Sequence, residues 1–142
     1  MKGQKLMLTG VDTGFFFALE DNNSTAMKIW TDRELITSVV VIYELQKKLL
    51  KGQFAQWPTL IDDIRKATVV APLTEKTALK AAHLAHGTGM PGLDALILSS
   101  LLEAECREIY TTDSHFELYQ KKGITIVNLK KQEDNHEMAD NP

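Results

Sequence analysis

Short apolar runs alternate with longer segments of helical spacing along almost the whole chain, and that alternation leaves few folds open. Residues 5–11 form an apolar run that suits a buried strand ending at Asp12. Residues 15–19 and 25–30 read as helical, with residues 21–24 as polar punctuation between them. A short strand at 35–37 leads to Ser38, a natural cap for a helix running to about residue 51 and stopped by Gly52. The β-branched residues 39–42 also suit a strand. A helix over 58–66 with proline near its first turn, a strand at 68–70 and a helix over 74–86 ended by Gly87 follow. Residues 93–106 are apolar almost without interruption through Leu102, so this helix is expected to be buried on most sides. A strand at 108–112, a helix at 114–121 and a strand at 124–129 complete the series.

Strands that alternate with helices make βαβ units. The fold expected is therefore α/β, three layers deep, with a mostly parallel sheet between helices. At 142 residues there is room for one ordinary domain, expected over 1–129, and the polar segment 130–142 reads as a frayed tail. A hydrophobic fraction of 44% fits a globular protein, and a net charge of -3 argues against gripping nucleic acid by bulk positive charge. The single cysteine, Cys106, excludes an internal disulfide and makes a thiolate metal site improbable. Asp12 interrupts the apolar start, no small-residue cleavage site follows and no stretch is long enough to span a bilayer, so a cytoplasmic protein is expected.

Ligands of parallel sheets gather beyond the carboxyl ends of the strands. Asp12 and Asp113 directly follow two of the expected strands. Asp94 opens the apolar helix and shares its stripe with Ile97, Leu98 and Leu101, while Glu44 sits mid-helix. Judged one at a time, each acid has a plain reading. Asp94 suits a helix dipole, Asp12 and Asp113 suit turns, and Glu44 suits an ion pair with Lys48. Taken together, carboxylates at the rim of a core without matching arginines suggest hard divalent cations.

Four segments then carry a resemblance. VDTGFFFAL, ITSVVVIYEL, GLDALILSSLLEAEC and EIYTTDSHF resemble, in this order, the four acidic motifs of PIN-domain proteins, and GITIVNL is similar to their closing strand. The resemblance spans roughly residues 5–129 and implies a five-stranded parallel sheet and a Mg²⁺- or Mn²⁺-dependent nuclease acting on RNA. It also implies a frequent homodimer, and many small members are toxins paired with an antitoxin. It assigns metal binding to Asp12, Asp94 and Asp113, directly or through water, with Glu44 binding a second metal or orienting the attacking water. Thr13, Thr112 and Ser114 are candidates to hydrogen-bond the carboxylates or the water, and equally serve as turn and cap hydroxyls.

Two departures concern the surroundings of the acids: Gly14 where many members carry a bulkier or polar residue, and Ser114 with His115 where arginine or lysine is often found. His115 is the one histidine worth testing in catalysis, whereas His83 and His86 suit a helix end. Lys47, Lys48 and Lys51 are candidates for RNA phosphates or a solvated face, and Trp30 and Trp57 for base stacking or packing. Tyr43, Phe54 and Trp57 are expected to be exposed aromatics suited to a dimer interface. Two other readings stay open: a catalytically silent fold member that binds RNA or protein, and a phosphatase of another α/β fold. Gly14 stands where the haloacid dehalogenase type would place its second acid.

Overall fold

The computed structural model describes residues 7–131. Its strands are β1 (Thr9–Val11), β2 (Leu35–Ser38), β3 (Thr68–Ala71), β4 (Glu108–Thr111) and β5 (Thr125–Asn128). They form a five-stranded sheet in the order β3-β2-β1-β4-β5, and every neighbouring pair is parallel. The helices are α1 (Thr13–Glu20), α2 (Ser24–Asp32), α3 (Val39–Leu50), α4 (Leu60–Ala67), α5 (Glu75–Thr88) and α6 (Gly92–Glu103). Helices flank the sheet: α6 packs on α5, α3 and β2, and α1 packs on α2, α3 and β4.

The central strands are buried without alternation, as strands covered on both faces must be. In α6, Ala95 and the run from Ile97 to Leu101 are buried. Each large apolar side chain removed from water there contributes about 1.5–3 kcal/mol. Ser99 and Ser100 survive in this setting because their hydroxyls donate to the carbonyls of Thr77 and Leu96, at 3.1 and 2.9 Å. Residues 39–42 are helical, because Ser38 turns the chain. Its hydroxyl accepts the Val40 N–H at 3.1 Å and starts α3 directly at the end of β2.

Several boundaries differ from expectation. Residues 5 and 6 lie outside the described residues, and β1 itself begins at Thr9. Pro58 precedes α4 in a turn, and the helix starts at Leu60. Helix α5 passes through Gly87 and stops at Gly89, which alone of the two takes the left-handed conformation (φ 78°) that ends a helix cheaply. The helix expected at 114–121 shrinks to a 3-10 turn over Ser114–Leu118, after which Tyr119 is extended. Leu129 begins a helical turn with residues 130 and 131, so it is not part of β5, and the rest of the expected tail lies outside the described residues.

The expected aromatic interface is also corrected. Phe54 is 2% exposed and stacks on Phe17 at 4.4 Å between ring centroids. Trp57 packs edge-on against Trp30 at 5.8 Å and donates its indole N–H to Asp63 at 2.6 Å. Both tryptophans border Phe16, so they serve the core and neither is offered as a free platform for bases. Only Tyr43 of the three is exposed.

Candidate active site

The parallel pairing of β1 with β4 sets Val11 beside Tyr110, so the residues that follow each strand emerge at the same edge. Asp12 leaves β1 with an extended backbone and caps α1, its Oδ1 accepting the Phe15 N–H at 3.0 Å. Its other oxygen accepts the Thr111 hydroxyl at 2.5 Å. Thr111 in turn accepts the N–H of Asp113 at 2.9 Å, so one buried hydroxyl ties two acids of two strands together. Asp113 caps the 3-10 turn, accepting the His115 N–H at 2.9 Å. Asp94 occupies the first turn of α6. Glu44 projects from α3, and its Oε1 accepts the Thr13 hydroxyl at 2.6 Å, so the ion pair with Lys48 is not formed.

The tightest group is Asp94, Asp113 and His115, each offering one ligand atom within 4.8 Å of the others. His115 Nδ1 stands 2.9 Å from Asp113 Oδ1 and 3.4 Å from Asp94 Oδ2. Asp12 and Glu44 border this group and act on it through their charge. Burial pushes the Asp12 carboxyl up to about 7, against the lowering effect of the Thr111 and Phe15 hydrogen bonds, and Asp113 and Asp94 add repulsion. Asp94 is pushed up to about 6, first by desolvation, then by Asp113, with His115 opposing and Glu44 adding to the rise. Among the described residues, no lysine or arginine forms an ion pair with any of the four acids.

This donor set fits a hard divalent cation. The oxygens come from rigid positions at strand ends and a helix start, they repel one another in its absence, and their spacing lets several reach one ion. Asp94, Asp113 and His115 could together hold such an ion.

The sequence offered Thr112 as a partner of the carboxylates and passed over Thr111 beside it. Thr111, not Thr112, bonds Asp12. The two-residue period of β4 carried the signal, because Thr111 shares the face of buried Ile109. Thr112 instead packs against Gly14, where a Cβ would lie 1.8 Å from its Oγ1, so Gly14 is demanded by the close approach of α1 to the end of β4. His115 belongs to the tightest cluster. Ser114 opens the 3-10 turn that Asp113 caps.

A PIN-domain family model matches residues 11–122. No curated protein sequence matches significantly. Among solved structures, the chain is similar to one in a toxin–antitoxin complex from Klebsiella pneumoniae, with TM-score 0.67 and 13% identity over 85% of this chain and 97% of that one. It is similar to a chain of VapBC2 from Rickettsia felis bound to a DNA fragment from the promoter, with TM-score 0.65 and 15% identity over 84% and 97%. It is also similar to VapC20 of Mycobacterium tuberculosis, a toxin that cleaves the sarcin-ricin loop, with TM-score 0.62 and 19% identity over 77% and 92%. With the match running from the last residue of β1 to beyond the 3-10 turn, over most of the chain, this chain belongs to the PIN-domain family.

Proposed function

We propose that the protein is a divalent-metal-dependent ribonuclease that hydrolyses RNA phosphodiester bonds. The observation that carries this reading is the gathering of Asp12, Glu44, Asp94 and Asp113 at one sheet edge with no lysine or arginine paired to them among the described residues. A scaffold has no use for such repulsion, whereas a cation site does. Bound Mg²⁺ or Mn²⁺ supplies an acidified water and neutralises charge on the scissile phosphate. Asp94 and Asp113 would hold the cation, with Asp12 fixed by Thr111 and the α1 N-terminus. Glu44 holds one oxygen on Thr13, and its other oxygen would bind a second metal or orient the attacking water.

The test is cleavage of a stem-loop RNA with Mg²⁺ or Mn²⁺. The expected result is cleavage that EDTA abolishes and that Asp94→Asn lowers by about a hundred- to a thousand-fold without unfolding the protein. Full-rate cleavage in EDTA overturns the reading.

The toxin–antitoxin assemblies among the similar structures support a toxin role with an antitoxin partner. Induced expression should then arrest growth, and co-expression of the adjacent reading frame should relieve it. A homodimer is part of the same reading. Val39, Tyr43 and Leu50 lie on one stripe of α3 and are 40%, 57% and 79% exposed, an apolar edge suited to a second copy. Light scattering at high micromolar concentration should give twice the chain mass; a monomer refutes the pairing.

A further inference from the structure

Resting on that metal-dependent reading, we propose that His115 is itself a ligand of the cation, through Nδ1, and that this nitrogen biases the site toward Mn²⁺ and Co²⁺ over Mg²⁺. The argument is geometric. Ions of this class hold oxygen or nitrogen donors at about 2.1 Å in octahedral order, so adjacent donors on one ion sit about 3 Å apart. His115 Nδ1 lies 2.9 Å from Asp113 Oδ1 and 3.4 Å from Asp94 Oδ2, close to two edges of such an octahedron. Three donor atoms within 4.8 Å of one another fit one coordination sphere with little movement. The ring is held there by its own backbone: the His115 N–H donates to the same Asp113 carboxylate, and Phe116 beside it is 1% exposed and anchors the turn in the core. The histidine side chain remains about half exposed, so the coordination positions beyond it are open to water and substrate.

An imidazole bound directly to the ion changes which metal the site prefers. Mg²⁺ binds oxygen donors, keeps much of its water and gains little from a nitrogen. Transition ions gain more, Co²⁺ more than Mn²⁺ in the order of their nitrogen affinity. His115 stands among hard carboxylates, so Mg²⁺ still binds, but at a disadvantage set by this one side chain.

The experiment uses the full chain, stripped of metal, with Mg²⁺, Mn²⁺ or Co²⁺ titrated by calorimetry into wild type, His115→Ala and Asp94→Asn. Pulsed EPR of the Mn²⁺-loaded proteins then reads nitrogen coupling directly. Wild type should bind Mn²⁺ more tightly than Mg²⁺ and show a nitrogen coupling. His115→Ala should keep its melting temperature, lose the coupling and reduce the Mn²⁺ over Mg²⁺ preference by roughly ten-fold. If wild type binds Mn²⁺ without nitrogen coupling, or His115→Ala keeps the full preference, His115 is not a ligand while the nuclease reading stands. If wild type binds none of the three ions, the metal-dependent reading fails and this inference falls with it. Loss of all binding in Asp94→Asn, with partial binding in His115→Ala, separates the required carboxylate from the selective imidazole.

Discussion

Strands β1 and β4 carry charge at both ends, and the two ends treat it in opposite ways. At their amino ends, Glu108 accepts from the Tyr110 hydroxyl and pairs with Arg33 at 3.4 Å, and Arg33 also reaches the Thr9 hydroxyl at 3.5 Å. At their carboxyl ends, Asp12 and Asp113 meet Asp94 and Glu44, with no lysine or arginine paired to them among the described residues. The first arrangement is self-sufficient and serves the fold. The second is unbalanced and favours a proton or a cation, which is how a candidate site differs from a staple on the same two strands.

The largest effect should come from removing one charge of the unbalanced end. Asp94→Asn is expected to lower RNA cleavage by about a hundred- to a thousand-fold. It should also cancel most of the rise in melting temperature that Mn²⁺ gives wild type. A variant that keeps both the metal shift and the cleavage would erase the distinction between the two ends.

Next comes pH. Folding raises the Asp12 carboxyl from its ordinary 3.8 to about 7, so the folded protein holds this proton more tightly than the unfolded chain. Its contribution is therefore whole below pH 3.8 and is lost as pH climbs through about 7. The loss is up to about 4 kcal/mol, shared in practice with its acidic neighbours. In EDTA, the melting temperature of wild type should fall relative to Asp12→Asn between these limits, and the asparagine variant should be the more stable at pH 8. Parallel pH profiles for the two proteins would show that Asp12 does not carry the repulsion.

A smaller effect tests the packing beneath the site. Gly14→Ala puts a methyl against the Thr112 side chain and should cost about 1–3 kcal/mol in urea denaturation. Thr112→Gly should recover much of it in the double variant, because the nearest atoms are those of that side chain. Strict additivity would mean the clash is relieved elsewhere. The smallest effect belongs to the balanced end. Arg33→Ala breaks an ion pair whose partners are 44% and 36% exposed, so it should cost less than about 1 kcal/mol and leave cleavage unchanged. A loss of activity would show that the two ends are coupled.

Much of this was legible because the acids announce themselves locally. Asp12 and Asp113 follow apolar strand runs, Asp94 breaks an apolar helix at its start, and the strand–helix alternation gives the sheet. What escaped depends on neighbours distant in sequence. Thr111 meets Asp12 across 99 positions, and Gly14 is explained only by Thr112. Phe54 and Trp57 looked exposed because their segment is polar, yet α1 and α2 supply the rings that cover them. Gly87 and Gly89 are two residues apart with equal claim to end α5, and only the backbone angle at Gly89 decides.

The pairing of Asp12 with Thr111 also sets a timetable. During synthesis β1 is made early, but the strand that lies beside it on this edge arrives 99 residues later. Closing so long a loop is slow, and the contact cannot form before β4 has left the ribosome. Until then Asp12 lacks the hydroxyl that holds it, and Asp113 does not yet exist in the chain. A chain in which β4 has not yet been made therefore has no assembled acidic cluster.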